Sequence, residues 1–184
     1  MLHEIEDLQS ERSRVFERPE FSSAPPVLSH IDVVIEVPAI EYATRLRAVL
    51  GAVLALAMSE EFEDDDFPVD TIPAWFRAVS LGGNGHVEVF ARVGALRYSE
   101  KIGERPWGLR DWLYRFHPEA EVRGWAWWDL TSLSDGRLRL WVDAWGESFF
   151  AWEELRWLLY MCGAREVEGP IIRRPETWAE EVSV

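Results

Sequence analysis

Asp143 and Glu147 flank Trp145-Gly146, where an alternating, strand-like run gives way to a helical one. Two carboxylates at such a junction suit general acid–base hydrolysis or assistance by a metal. Asp32, Glu36 and Asp129 could join them only through the fold. The four histidines, His3, His30, His86 and His117, form no His-Glu-x-x-His pattern. His86-x-Glu88 places an imidazole and a carboxylate on one face of a strand, but no Pro-Cys-x-x-Cys segment follows to complete a zinc deaminase site. The one cysteine, Cys162, lies in an apolar helical run and reads as a buried small residue. No Gly-x-Ser-x-Gly elbow is present, and the Gly82–Gly85 turn lacks the Lys-Ser/Thr of a phosphate loop. No metal or cofactor is expected.

Acidic and aromatic residues carry more information. Glu60, Glu61, Glu63, Asp64, Asp65 and Asp66 crowd one short segment without the glycine and ligand spacing of a calcium loop. The segment reads as a solvated loop or as a docking patch for a basic partner. Nine of the eleven tryptophans fall between Trp107 and Trp157. Trp125, Trp127, Trp141 and Trp145 lie on the more polar side of two alternating runs, with Asp129 and Arg139 among them. Each Trp buries roughly 150–250 Å², so such a stripe must be covered or must bind something. The cover could be the N-terminal arm or the Trp107–Phe116 helix. The alternatives are a protein interface, with Trp and Arg as anchors, or a platform for a small ligand or sugar.

The formal charge of −14 on 184 residues opposes binding to phosphate backbones and favours a basic partner. The longest apolar run, Ala48–Met58, has eleven residues, too few to span a bilayer. Without a basic start or an apolar signal core at the N-terminus, a cytoplasmic protein with no membrane and no nucleic-acid partner is expected.

These residues need a scaffold. Residues 1–29 read as an N-terminal arm and Pro/Ser linker, 30–175 as one domain and 176–184 as a frayed tail. Ile31–Val37 predicts a strand, Ile40–Ser59 a core helix, and Asp70 onward a shorter helix with Pro73 in its first turn. Val87, Val89, Ala91 and Val93 alternate with polar residues and predict another strand. Pro106–Phe116 and Phe149–Cys162 predict helices, and Glu166–Ile172 a last strand. Glu121–Leu130 and Arg137–Trp145 predict a hairpin around Asp135-Gly136. Pairing Trp127 with Trp141 there also pairs Asp129 with Arg139, Leu130 with Leu138 and Trp125 with Asp143. The expected fold class is α+β, a largely antiparallel sheet with helices mainly on one face; a ferredoxin-like topology is the second arrangement.

Three functional readings follow. The leading one is a non-enzymatic, acidic protein-binding module that meets a basic partner through charge and aromatic anchors. Small size, acidity and abundant Trp resemble, in general character and without a shared motif, the immunity proteins that neutralise bacterial toxins. The second reading is a carboxylate-based hydrolase or metal-assisted enzyme at Asp143 and Glu147. The third is a structural subunit of a homo-oligomer with the Trp face on a two-fold axis.

Overall fold

The computed structural model describes residues 3–59, 68–134 and 136–184. Five strands form one antiparallel sheet: β1 (Leu28–Ile35), β2 (Ala126–Ser134), β3 (Arg137–Asp143), β4 (Ala164–Arg173) and β5 (Val182–Ser183), in the order β4-β1-β3-β2-β5. The described helices are α1 (Ile5–Phe16), α2 (Ala39–Ala57), α3 (Ala74–Val79), α4 (Val89–Ile102), α5 (Leu109–Tyr114), α6 (Glu153–Met161) and α7 (Pro175–Ala179). The α+β class is as expected. The chain path β1-α2-β2-β3-α6-β4, with α3 to α5 inserted before β2, is the split β-α-β arrangement of the second expected topology.

Apolar spacing explains which face is covered. On α2, Leu46, Val49, Leu50, Val53 and Leu54 recur at helical intervals and are buried. They meet Ile31 and Val33 of β1, Leu138 and Leu140 of β3, and Leu155, Leu158 and Leu159 of α6 in one core. Leu8 and Val15 of α1 enter the same core. The N-terminal segment therefore contains an integral helix, started by the Asp7 carboxylate, which accepts the Glu4 N–H at 3.1 Å. At the other end, α7 lays Trp178 on the opposite sheet face with Leu28, Trp128 and Trp141, and β5 extends the β2 edge. Residues expected to fray complete the sheet.

Two local expectations give way. The run around His86–Val93 is not a strand; α4 begins at Val89. Ala91, Gly94 and Tyr98 have helical spacing and are buried, and a Cβ on Gly94 would stand only 1.9 Å from the Tyr160 carbonyl oxygen. Close α4–α6 packing through that glycine overrides a short alternation that either period can satisfy. The expected hairpin register also fails. Asp129 pairs with Trp141, Leu130 with Leu140 and Thr131 with Arg139, while Trp127 pairs with Val142. Trp128 is the additional residue of a bulge, and it reverses the in/out alternation along β2. Trp127 and Trp141 consequently lie on opposite faces of the sheet.

Candidate functional site

The bulge divides the tryptophan stripe. Trp125 and Trp127 turn into the helix-covered core, although Arg123 and Glu121 accompany them in sequence. Buried indoles need partners for their N–H groups. Trp125 Nε1 donates to Glu154 Oε1 at 2.6 Å, and Trp127 Nε1 donates to the Arg14 carbonyl at 2.9 Å. Arg123 turns inward as well, only 1% exposed. Its guanidinium donates to both Glu11 oxygens at 2.6 and 2.8 Å and lies over the Phe116 and Trp125 rings. Glu11 also accepts the Trp127 N–H at 2.7 Å. Burial alone would raise the Glu11 pKa, but Arg123 and these hydrogen bonds reverse it, and the carboxyl titrates below its ordinary range. For Glu154 burial wins, and its pKa is raised despite the bonds from Trp125 and Arg115.

On the other sheet face Trp141 is buried and donates through Nε1 to Thr131 Oγ1 at 3.0 Å and to Glu181 at 2.9 Å. Arg139 forks onto Asp32 at 2.7 and 3.1 Å and reaches Glu181 at 2.7 Å. Burial opposes ionisation of Asp32, but the Arg139 bonds and the nearby His30 outweigh it and lower its pKa. Asp129, also buried, accepts from Trp178 Nε1 at 2.8 Å and Ser183 Oγ at 2.5 Å. Arg139, Asp129 and Trp141 thus bind the chain's own C-terminal segment. Three of the four expected anchor tryptophans, Trp125, Trp127 and Trp141, are covered by the chain itself, and the face expected to serve a two-fold interface is occupied. The acidic segment Glu60, Glu61, Glu63, Asp64, Asp65 and Asp66 lies outside the described residues.

Asp143 and Trp145 remain at the surface, and they share a cleft of about 230 Å³ with His3, Asp7, Ser10, Arg14, Ser23, Pro25, Ala126 and Trp128. One wall is helical: His3, Asp7, Ser10 and Arg14 recur every three or four residues, so α1 and the residue pair before it present them on one side. The opposite wall is the end of β3 and the turn after it. Asp143 Oδ1 accepts the Trp145 N–H at 2.9 Å, and the Glu147 N–H donates to the Ala144 carbonyl at 2.9 Å. This turn holds Trp145 at φ 51°, a left-handed conformation costly for a bulky side chain, and Gly146 at φ 81°. Trp145 stays 42% exposed, with its ring edge-on to His3 at 5.1 Å.

The charges in the cleft are incompletely matched. Arg14 donates through Nε to the Trp127 carbonyl at 3.0 Å and stacks over Trp128 at 5.0 Å, and no carboxylate lies within ion-pair distance of it among the described residues. Burial raises the Asp143 pKa, and Arg14 offsets this only in part. Burial, followed by the Arg123 charge, lowers the His3 pKa to about 4. His3 is therefore neutral near pH 7, with Nε2 against the Arg123 carbonyl at 3.0 Å and Nδ1 facing Arg123 Nη2 at 3.2 Å. Trp128 is buried and its Nε1–H has no partner among the described residues.

Glu147 is exposed and does not line this cleft, so the two expected carboxylates are not brought together in it. His86 is exposed and lies outside any helix or strand. Among the described residues no three His, Cys, Asp or Glu side chains gather as a metal would require, and no helix is long and apolar enough to cross a membrane. His3, Arg14 and Trp128 were not among the expected site residues; the helical spacing from His3 to Arg14 was the signal for two of them. No family model matches the chain, and no curated protein or solved structure is significantly similar to it.

Proposed function

We propose that this protein is a non-catalytic binding module for a basic protein partner, acting in the manner of an immunity protein that neutralises a toxin. The observation that carries the reading is the placement of charge. The most deeply buried ion pair, Arg123 with Glu11, balances internally, as does Arg115 with Glu154. Part of the surplus of carboxylates behind the formal charge of −14 lies on the described surface. Glu4, Glu6 and Asp7 at the start of α1, and Glu147 beside Trp145, are all exposed. Such a field speeds encounter with a cationic partner, and desolvated aromatic contacts then supply affinity. Trp145, one of the four tryptophans expected as anchors, and the almost fully exposed Phe149 (91%) occupy the same β3–α6 connection and carry the anchoring role that the three buried tryptophans do not.

The test is affinity capture from the native cell, identification of the partner, and titration of the purified pair over a range of salt. The expected result is a partner of high isoelectric point whose affinity falls as salt rises. Trp145→Ala is expected to weaken the complex by more than about 2 kcal/mol. A neutral or acidic partner, or an affinity unaffected by salt, overturns the reading.

A further inference from the structure

Resting on that reading, we infer that the cleft between α1 and the end of β3 is the seat for one arginine or lysine residue of the partner. Its size favours this occupant: about 230 Å³ is smaller than the roughly 300–1,000 Å³ of pockets for drug-sized ligands. Its chemistry has two parts. Asp143 has one oxygen engaged by the Trp145 N–H, and its other oxygen has no hydrogen-bond donor among the described residues. Asp143 lines the cleft together with Asp7, which also accepts the Glu4 N–H, against one lining cation, Arg14. An arriving ammonium or guanidinium group meets these carboxylates beside the exposed ring of Trp145, which suits a cation over an aromatic face. Arg14 contributes a donor, and Trp128, whose buried Nε1–H has no partner among the described residues, lines the same cleft. The Arg14 guanidinium matches the backbone carbonyl that accompanies the basic side chain.

The preference between cations also follows. Guanidinium stacks on an indole and hydrogen-bonds in a plane, whereas a compact ammonium is more strongly hydrated. The cleft therefore favours arginine over lysine. It disfavours an anion, because two carboxylates face one guanidinium and His3 adds no charge.

The experiment uses the full chain with Nα-acetyl-arginine amide and Nα-acetyl-lysine amide as probes. Nα-acetyl-norleucine amide is the uncharged control and Nα-acetyl-glutamate amide the anionic one. The indole N–H signals of Trp145 and Trp128, assigned with Trp145→Phe and Trp128→Phe, report occupancy by NMR. Both basic probes are expected to shift them saturably, with dissociation constants of roughly millimolar order, the arginine probe binding more tightly. Asp143→Asn keeps an acceptor for the Trp145 N–H and is expected to weaken the basic probes about ten-fold. An absent response, an equal response to norleucine, tighter binding of the glutamate probe, or Asp143→Asn binding like wild type overturns the inference. The two readings fail separately. A basic partner whose salt-sensitive affinity ignores Asp143→Asn removes the cleft and leaves the binding module. Basic probes that seat normally on a protein whose partner is not basic remove the module and leave the cleft.

Discussion

Replacing Glu11 by alanine tests the most deeply buried electrostatic contact in the protein. Glu11 is fully buried, accepts two guanidinium bonds from Arg123, and accepts the main-chain N–H of Trp127 as well. Its removal leaves Arg123, 1% exposed, with His3 and two ring faces as its remaining partners. An uncompensated buried charge of this kind costs about 3–5 kcal/mol. The total stability of a domain is only about 5–15 kcal/mol, so Glu11→Ala should lose a large fraction of it. At about 2–4 °C per kcal/mol for a chain of this size, the melting temperature should drop by roughly 6–20 °C. Glu11→Leu combined with Arg123→Met removes both charges and should recover part of the loss. It leaves the Trp127 N–H without its acceptor, a residual penalty of about 1–3 kcal/mol. Urea unfolding of the wild type, Glu11→Leu, Arg123→Met and the double variant closes the cycle, beside Glu11→Ala. A loss below about 1 kcal/mol for Glu11→Ala, or a double variant as unstable as the sum of the singles, refutes the placement of α1 over a buried ion pair.

Three further outcomes follow. His3 has a folded pKa of about 4 against 6.5 in the unfolded chain, so between these values the unfolded state binds more protons and stability rises with pH. That contribution is complete above about pH 6.5 and is lost on acidification toward pH 4, by at most about 3 kcal/mol; His3→Gln should flatten this window in thermal melts, and an unchanged slope counts against the buried neutral imidazole. Gly94→Ala places a Cβ 1.9 Å from the Tyr160 carbonyl oxygen, and forcing α4 from α6 should cost about 1–3 kcal/mol in denaturant unfolding; a neutral substitution means the helices do not touch there. Acrylamide should quench the exposed Trp145 most readily, the half-buried Trp75, Trp107 and Trp152 less, and Trp125, Trp127 and Trp141 hardly at all, so Trp145→Phe should remove the most quenchable component of the emission; quenching unchanged in that variant counts against an exposed Trp145.

Periodicity made most of the scaffold legible. The stripe on α2 and the leucines of α6 carry the helical spacing over several turns, and a turn-flanked pair of alternating runs defines the β2–β3 hairpin. The α+β class followed from those; the ferredoxin-like order was only the second arrangement expected, and strand pairing across the chain selected it. In the candidate site, the change of pattern at Trp145-Gly146 marked the junction after the strand, but the strand was expected to run through Trp145, whereas β3 stops at Asp143 and a turn follows. The shorter elements were less legible. The residues around Val89 satisfied two periods at once, and close backbone packing at Gly94 selected the helix. The inner stripe of α1 carries a charge, Glu11, between Leu8 and Val15, so its burial depends on Arg123, more than a hundred residues away.

Local residue order by itself thus determined the class of fold, the acidity and the approximate junction after β3, because helical and strand periods are properties of consecutive residues. Tertiary structure decided which tryptophans are covered. One additional residue at Trp128 reverses the two faces of β2. It sends Trp125 and Trp127 into a core where Glu154 and the Arg14 carbonyl accept their N–H groups, while Trp141 keeps the face that the alternation of β3 gives it, beneath α7. A bulge has no strong signature in a short alternating run, and an indole turns inward only where a distant segment supplies its hydrogen-bond acceptor. The cleft depends on the same distance in sequence: His3 and Arg14 reach Asp143 because α1 docks across the start of β2.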